Sequence, residues 1–169
     1  MRARFILWVL FCSLVSVCQM GAQAGAPGML SADEVKHLAP GTYFFRGQSA
    51  SVQLRNTVGF RADEGRLVLA GLVDTGGYSS DVKAKYQGFL ITEVKLSVEG
   101  KELPPGQYGF GFSSEGKFVV MDVGANDVGS VESHKDAALP RARPLVLTEQ
   151  TGGGYRLYEG RQWIALKPE

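Results

Sequence analysis

The sequence predicts an all-β fold: an antiparallel sandwich or partly closed barrel of about ten short strands with one short N-terminal helix. The 22 glycines of the 169-residue chain supply frequent turns between short apolar runs, a pattern typical of such folds. The motif L-x-P-G-x-Y-x-F occurs at residues 38–45 and again at residues 103–110. Each copy leads into a segment with aromatic residues at alternate positions, which point to the same face of a strand. We therefore expect repeated hairpins that bury their aromatic faces in a common core.

A secretory signal peptide is predicted over residues 1–24. The chain begins with basic residues, continues with an apolar run at residues 5–17, and reaches small residues just before Gly25. This order is typical of an export signal that is cleaved before Gly25. The apolar run falls short of the about 20 residues that a membrane span needs, so we expect no transmembrane span in the mature chain. The expected location is the bacterial periplasm or the extracellular space.

Two alternatives concern the same N-terminal segment. It could be retained as an anchor, or Cys18 could carry a lipid. The surroundings of Cys18 resemble the bacterial lipoprotein signal, although Val17 stands where that signal has a small residue. Both cysteines, Cys12 and Cys18, precede Gly25, so the mature chain would form no disulfide and would depend on its core for stability.

Charge and composition narrow the classes of partner. The chain has 18 basic and 17 acidic residues, a net charge of +1, and the two signs are interspersed. A nucleic-acid-binding protein usually carries a basic patch, so we expect no nucleic acid partner. Without cysteine, residues 25–169 also have no thiol nucleophile and no Cys-ligated zinc. We expect no cofactor, and a partner that is an unknown protein or small molecule.

The mature chain is predicted to consist of a flexible lead at residues 25–30 and a single all-β domain at residues 31–169. Ser31 and Glu34 have the spacing of a capping box, which predicts a short helix that ends before the first Pro-Gly pair. Proline presets the second position of a type II turn and glycine supplies the positive φ of the third. Each Pro-Gly pair of the repeated motif is therefore predicted to form a type II turn.

The predicted strands are short and follow one another closely. The runs at residues 66–73 and 118–121 are apolar at consecutive positions, so they are expected to be central strands buried on both faces. A helical turn is predicted at residues 80–86 with Ser80 as its N-cap. Residues 124–144 have no clear pattern and are predicted to form the largest loop. Strands are predicted at residues 42–46, 50–56, 66–73, 88–92, 94–98, 107–113, 117–123, 145–149, 155–158 and 162–167.

The alternating aromatic residues allow two interpretations. They fill the core of a β-domain, or some of them line a cavity for an apolar ligand. A small apolar-ligand-binding β-barrel is therefore one alternative function. The stretch Gly41-Thr-Tyr43 after a short helix resembles the start of a lipocalin, a family that holds ligands in a barrel, although lipocalins have Trp at this point. The candidate ligand-binding residues are Tyr43, Phe45, Tyr108, Phe110 and Phe112.

A second alternative function comes from the stretch Leu-Val-Asp-Thr-Gly at residues 72–76. It resembles the catalytic loop of retropepsin-like aspartic proteases. In that family two such aspartates share one proton and activate water. Since Asp-Thr-Gly occurs once in this chain, the resemblance implies a homodimer that uses Asp74 as its catalytic residue. The alternative for Asp74 is a turn in which its carboxylate accepts hydrogen bonds from nearby backbone amides.

Metal sites are possible in two polar segments. Asp122, Asn126 and Asp127 surround a glycine and offer oxygen ligands for calcium, but without the spacing of an EF-hand. Glu132, His134 and Asp136 alternate along the chain and could share a metal if further ligands came from elsewhere. Ordinary turns and a solvated polar loop explain the same residues, so we expect no metal.

The function predicted from these observations is an exported, non-enzymatic β-domain, a binding or envelope-associated module whose partner is unknown. No set of catalytic residues is recognisable, the charge is balanced, and the hairpins are rich in glycine and aromatic residues. The small-ligand barrel and the dimeric protease remain the alternatives.

Overall fold

The computed structural model describes residues 25–169, so the predicted signal peptide, with Cys12 and Cys18, lies outside the described residues. The helices are α1 (Ala32–Leu38) and α2 (Ser80–Lys83), and a short 3-10 helix spans Asp63–Gly65. The strands are β1 (Gly28–Met29), β2 (Thr42–Phe45), β3 (Gln48–Arg61), β4 (Leu67–Val73), β5 (Gly88–Thr92), β6 (Leu96–Val98), β7 (Lys101–Leu103), β8 (Gly106–Phe112), β9 (Lys117–Asp122), β10 (Asp127–Glu132), β11 (His134–Lys135), β12 (Arg143–Glu149), β13 (Tyr155–Gly160) and β14 (Gln162–Pro168).

These strands form two antiparallel sheets, which confirms the predicted all-β fold as a sandwich. The eight-stranded sheet has the order β1-β3-β4-β5-β8-β9-β10, and β2 pairs with β3. The six-stranded sheet has the order β12-β13-β14-β6-β7, and β11 pairs with β14. The path of each sheet ends at edge strands, so within residues 25–169 the strands do not close into a barrel. The prediction of central strands is also confirmed, because β4 lies between β3 and β5, and β9 lies between β8 and β10.

The main core lies between the two sheets. Phe60 of β3 stacks on Tyr155 of β13 with ring centroids 4.0 Å apart. Every second residue of β4 and of β9 faces this core, among them Val68 and Val120. Burial of large apolar side chains of this kind contributes about 1.5–3 kcal/mol each, so the contact between the sheets stabilises the sandwich.

A second core, which we call the outer core, covers the opposite face of the eight-stranded sheet. Strand β3 has an irregular register between Val52 and Thr57, and its first half carries β2 over this face. Phe45 of β2 stacks on Tyr86, which follows α2, with ring centroids 3.8 Å apart. From the sheet itself, the outer core receives Leu69 of β4 and the residues of β9 that point away from the main core. The two cores explain why β4 and β9 are apolar at consecutive positions.

The capping box of α1 is present. The Glu34 N–H donates to Ser31 Oγ at 3.3 Å, and the Ser31 N–H donates to Glu34 Oε2 at 2.9 Å. Glu34 Oε2 also accepts from Ser31 Oγ at 2.8 Å. The two bonds that Oε2 accepts from Ser31, followed by the contact with Arg61, hold the pKa of the Glu34 carboxyl below its usual value. At α2, by contrast, the N-cap is Ser79 rather than Ser80, and its side chain makes no capping bond. A four-residue helix is held by the burial of Val82, so it does not depend on a side-chain cap.

The predicted type II turns at Pro40-Gly41 and Pro105-Gly106 are wrong. Neither Gly41 nor Gly106 has the positive φ that such a turn requires. Gly106 already belongs to β8 and lies opposite Thr92 of β5, so strand pairing overrides the local turn preference.

Two segments expected to lack regular structure contain strands. Gly28 and Met29, within the predicted flexible lead, form β1 and pair with Arg61 and Phe60 of β3. Residues 124–144, predicted as one loop, contain β10 and β11. The count of fourteen strands exceeds the predicted ten because β1, β7, β10 and β11 are short or polar. Such strands depend on their neighbours for pairing and leave little pattern in the sequence.

Candidate functional site

Asp74, of the Asp-Thr-Gly motif, directly follows β4 and is exposed. Its Oδ1 accepts a hydrogen bond from the Gly76 N–H at 2.9 Å, and its own N–H donates to the Ser51 carbonyl. An aspartate that bonds the backbone two residues further on forms an Asx turn. The expectation that Asp74 caps a turn is therefore confirmed, and the motif is the point at which the chain leaves a central strand.

The candidate ligand-binding aromatic residues lie on opposite faces of the eight-stranded sheet. Tyr43 and Phe45 belong to the outer core, whereas Tyr108, Phe110 and Phe112 belong to the main core. None of these side chains is more than 9% exposed. Since the backbone of the sheet lies between the two groups, the five residues do not line a common space.

The candidate calcium ligands lie at the turn between β9 and β10. Asp122 Oδ1 accepts from the N–H groups of Gly124 and Asn126, both at 2.9 Å, and Oδ2 accepts from the Asn126 amide at 2.8 Å. These bonds, with the Asn126 side chain first among them, hold the pKa of the Asp122 carboxyl below its usual value. Asp127 forms an ion pair with Lys85, whose Nζ lies 3.4 Å away. Both carboxylate oxygens of Asp122 and Oδ2 of Asp127 are thus occupied by groups of the protein itself.

The alternating Glu132, His134 and Asp136 do not converge. His134 Nε2 lies 3.1 Å from Glu99 Oε2, and Asp136 Oδ1 accepts from the Ala138 N–H at 3.0 Å. In the part of the chain that the structure describes, no three His, Cys, Asp or Glu side chains are grouped in a way that could hold a metal ion.

Instead, His134 belongs to a group on the outer face of the six-stranded sheet, which we call the sheet-face cluster: Glu99, His134, Arg156, Tyr158 and Trp163. The His134 ring stacks on the Trp163 ring with centroids 4.3 Å apart. The Arg156 guanidinium lies over the same indole, with Cζ 4.1 Å from the ring centroid. Glu99 also accepts a hydrogen bond from the Ala165 N–H. The cluster therefore joins β11, β13, β14 and the β6–β7 turn.

A polar cleft of about 540 Å³ lies where one end of the eight-stranded sheet meets the six-stranded sheet. We call it the turn cleft, since the β8–β9 turn, residues 113–116, forms one wall. Ser133, Lys135, Arg161 and Gln162 complete the lining. A second cleft of about 390 Å³ adjoins the same turn and adds Lys117 and Ser130 to this surface, together with the ion pair of Lys85 and Asp127. The arrangement offers hydroxyls, an amide and cations to a ligand.

Glu159 is the described carboxyl whose pKa is raised. Burial raises the pKa of Glu159 to about 7. The residue lies opposite Gln162 in the β13–β14 hairpin. Functional carboxyls often have raised pKa values, but here desolvation is the cause, with no contribution from a neighbouring charge. The shift therefore follows from the packing of this hairpin.

Apart from His134, the residues of the sheet-face cluster and of the turn cleft were not predicted as site residues from the sequence. Arg156 and Trp163 project from neighbouring strands whose pairing, Tyr158 with Trp163 and Arg156 with Ala165, is visible only in the structure. The alternation of Arg156 and Tyr158 with buried Leu157 was a usable signal for an outer face. Lys135 and Arg161 carried no such signal, because both lie next to turns.

The chain matches no protein-family model, no curated protein and no solved structure. Among the helices of residues 25–169, none is long and apolar enough to cross a membrane.

Proposed function

We propose that this protein is an exported, non-enzymatic binding module, located in the bacterial periplasm or outside the cell, which binds an anionic, hydroxyl-bearing partner in the turn cleft. The predicted signal peptide supports export, and the cysteine-free chain at residues 25–169 suits a bacterial setting better than a eukaryotic extracellular one, where disulfides are common. The chemistry of the turn cleft supports the class of partner.

The observation that carries the proposal is the pair of cations at the cleft. Lys135 and Arg161 are both exposed and line the same space. No carboxylate among the described side chains lies within 4.0 Å of either of them. Glu115 is the acidic residue of the lining, so positive charge prevails in the cleft. An anionic group of a partner would supply the missing counter-charge.

Hydrogen bonds hold the lining of the turn cleft, both within the end of the eight-stranded sheet and from there to Gln162 of the six-stranded sheet. The Gly116 carbonyl accepts from the Ser133 N–H at 2.8 Å and from Ser133 Oγ at 2.7 Å. Gln162 Nε2 donates to the Ser113 carbonyl at 3.3 Å and to Ser133 Oγ at 3.2 Å. A cleft that is ordered before binding loses less conformational entropy when a ligand enters.

The hydroxyl groups of the cleft are suited to recognition. Ser133 Oγ donates its proton to a backbone carbonyl rather than to a base. A serine nucleophile is activated by a neighbouring base, so this arrangement favours a serine that positions a ligand. This contact supports the non-enzymatic part of the proposal.

The test is a binding assay of residues 25–169 with polygalacturonate, a polymer of carboxylate- and hydroxyl-bearing sugars, and with uncharged dextran. We expect saturable binding to polygalacturonate that weakens with added salt and no binding to dextran. The double variant Lys135→Gln, Arg161→Gln should bind at least about tenfold more weakly.

The matched control is the double variant Arg55→Gln, Lys83→Gln, which removes the same charge from exposed residues of β3 and α2. It should bind like the wild type. Absence of saturable binding to polygalacturonate would contradict the anionic partner. An equal loss in both double variants would contradict the turn cleft as its site. N-terminal sequencing of the exported protein tests the location, with Gly25 as the expected first residue.

A further inference from the structure

The outer face of the six-stranded sheet carries an arginine, Arg156, that has no carboxylate partner among the described side chains. Arg156 Nε is buried and has no hydrogen-bond partner among residues 25–169. No carboxylate of the described side chains lies within 4.0 Å of its guanidinium. By contrast, Arg61 lies 3.2 Å from a Glu34 oxygen. Because the protein covers Nε, only the terminal amino groups of the guanidinium can contact a ligand, and they have no carboxylate partner among the described side chains.

Trp163 fixes the orientation of this guanidinium. The Cζ atom of Arg156 lies 4.1 Å from the centroid of the indole ring, within the range of a cation–π interaction. The His134 ring also stacks on this indole, with the ring centroids 4.3 Å apart. A stacked arginine loses less side-chain entropy when it binds a planar group, because its fork is already oriented.

A cleft of about 310 Å³ opens beside Arg156. Its lining consists of Arg156 and the polar residues Thr148, Glu149, Gln150 and Thr151. Thr148 lies directly opposite Arg156 in the pairing of β12 with β13. The cleft therefore combines one cation, one exposed carboxylate, hydroxyls and an amide in a space that suits a single small polar group.

We propose that this cleft is a second binding site, in which Arg156 receives a carboxylate of the ligand and Glu149 accepts a hydrogen bond from a donor next to that carboxylate. Arginine pairs with a carboxylate through two parallel hydrogen bonds. Glu149 disfavours a ligand with a second negative charge, which selects a monocarboxylate over phosphate. An α-amino acid and a hydroxy acid share this chemistry. The site uses no residue of the turn cleft, so the two proposals can fail separately.

The experiment uses Trp163 as the probe, since it is the only tryptophan of residues 25–169. Its fluorescence is recorded while acetate, lactate or inorganic phosphate replaces chloride at constant ionic strength, and while glycine, which carries no net charge, is added at that same ionic strength. We expect glycine or lactate to give a saturable change in fluorescence. Its midpoint concentration should be about tenfold lower than that of acetate, because the added donor contributes one charge-assisted hydrogen bond. A stronger response to glycine identifies an amino acid ligand, and a stronger response to lactate identifies a hydroxy acid. Phosphate should act more weakly than acetate.

Variants assign the response to the named residues. Arg156→Gln should abolish it, and Arg156→Lys, which keeps the charge but lacks the fork, should weaken it. Glu149→Gln should reduce the difference between the fluorescence responses to acetate and to phosphate. The control is Arg143→Gln, which removes an exposed arginine from the neighbouring strand β12 and should leave the response unchanged.

The proposal is overturned if no ligand gives a saturable change, or if Arg156→Gln responds like the wild type. Equal responses to acetate and phosphate in the wild type would overturn the selection of a monocarboxylate. Far-UV circular dichroism checks the fold of each variant. If Arg156→Gln does not fold, Arg156→Lys and Glu149→Gln decide the outcome, and an unchanged response in both rejects the site.

Discussion

The hydroxyl of Tyr43 donates a hydrogen bond to the backbone carbonyl of Tyr108, at 3.1 Å in a buried setting. These are the tyrosines of the two copies of the L-x-P-G-x-Y-x-F motif. The copies are similar in sequence but different in place, since Tyr43 lies in β2 over the outer core and Tyr108 lies in β8 within the sheet. The bond therefore joins the covering hairpin to the sheet beneath it.

Removal of this hydroxyl should destabilise the protein. Tyr43→Phe deletes the donor and leaves the Tyr108 carbonyl with one partner fewer, so we expect the free energy of unfolding to fall by about 1 kcal/mol. The control is Tyr155→Phe, because the Tyr155 ring is also 9% exposed or less while no described residue hydrogen-bonds its hydroxyl. Urea unfolding measures both variants. Equal losses would show that the Tyr43 bond contributes nothing specific.

The close contact between Gly109 and Phe45 gives a second prediction. A Cβ at Gly109 would collide with the Phe45 ring, whereas a Cβ at Gly41 would have no atom within 4 Å. Neither glycine has a positive φ, so backbone strain does not enter the comparison. We expect Gly109→Ala to cost about 1–3 kcal/mol through overpacking and Gly41→Ala to change stability little. Thermal unfolding of the two variants checks this, and a stable Gly109→Ala protein would show that the outer core can shift.

The turn at Asp74 provides a prediction that also bears on the protease alternative. Asp74→Ala removes the acceptor of the Gly76 N–H, and we expect a loss of about 0.5–1.5 kcal/mol. Asp74→Asn keeps a side-chain oxygen for the same bond, so its stability should stay close to that of the wild type. Casein cleavage at acidic pH is then measured for the wild type and the two variants, each with and without pepstatin. Cleavage that is blocked by pepstatin and lost in the folded Asp74→Asn protein would show that Asp74 is catalytic.

Glu159 makes stability depend on pH. Burial raises its pKa from 4.5 to about 7, so the folded state binds this proton more tightly than the unfolded state. The resulting stabilisation is complete below about pH 4.5 and is lost as the pH rises to about 7. Each pKa unit corresponds to about 1.4 kcal/mol, which places the loss at up to about 3 kcal/mol.

The variant Glu159→Gln removes this titration while it keeps the size and polarity of the side chain. We expect it to raise the free energy of unfolding at about pH 8 and to change it little at about pH 4, where the wild-type carboxyl is protonated. Urea unfolding over this pH range measures the difference. A difference between the two proteins that does not vary with pH would contradict the burial of Glu159.

The sequence determined the fold class and most of the elements. The capping box of α1, the strand β5 at Gly88–Thr92 and the central position of β4 could be predicted because each depends on local spacing or on an uninterrupted apolar run. The close approach of a protein side chain to Gly109 was predictable for a similar reason, since a glycine in a strand often marks such an approach.

The tertiary structure alone decided the position of the repeated motif and of the surface sites. Strand pairing made Gly106 extended where the dipeptide favoured a turn, and the bend of β3 placed Tyr43 and Tyr108 on opposite sides of one sheet. The stacking of Arg156 on Trp163 and the grouping of Lys135 with Arg161 likewise depend on the register of β11, β13 and β14. The pairing of β11 with β14 joins segments far apart in the chain, and local periodicity carries no information about which strands become neighbours.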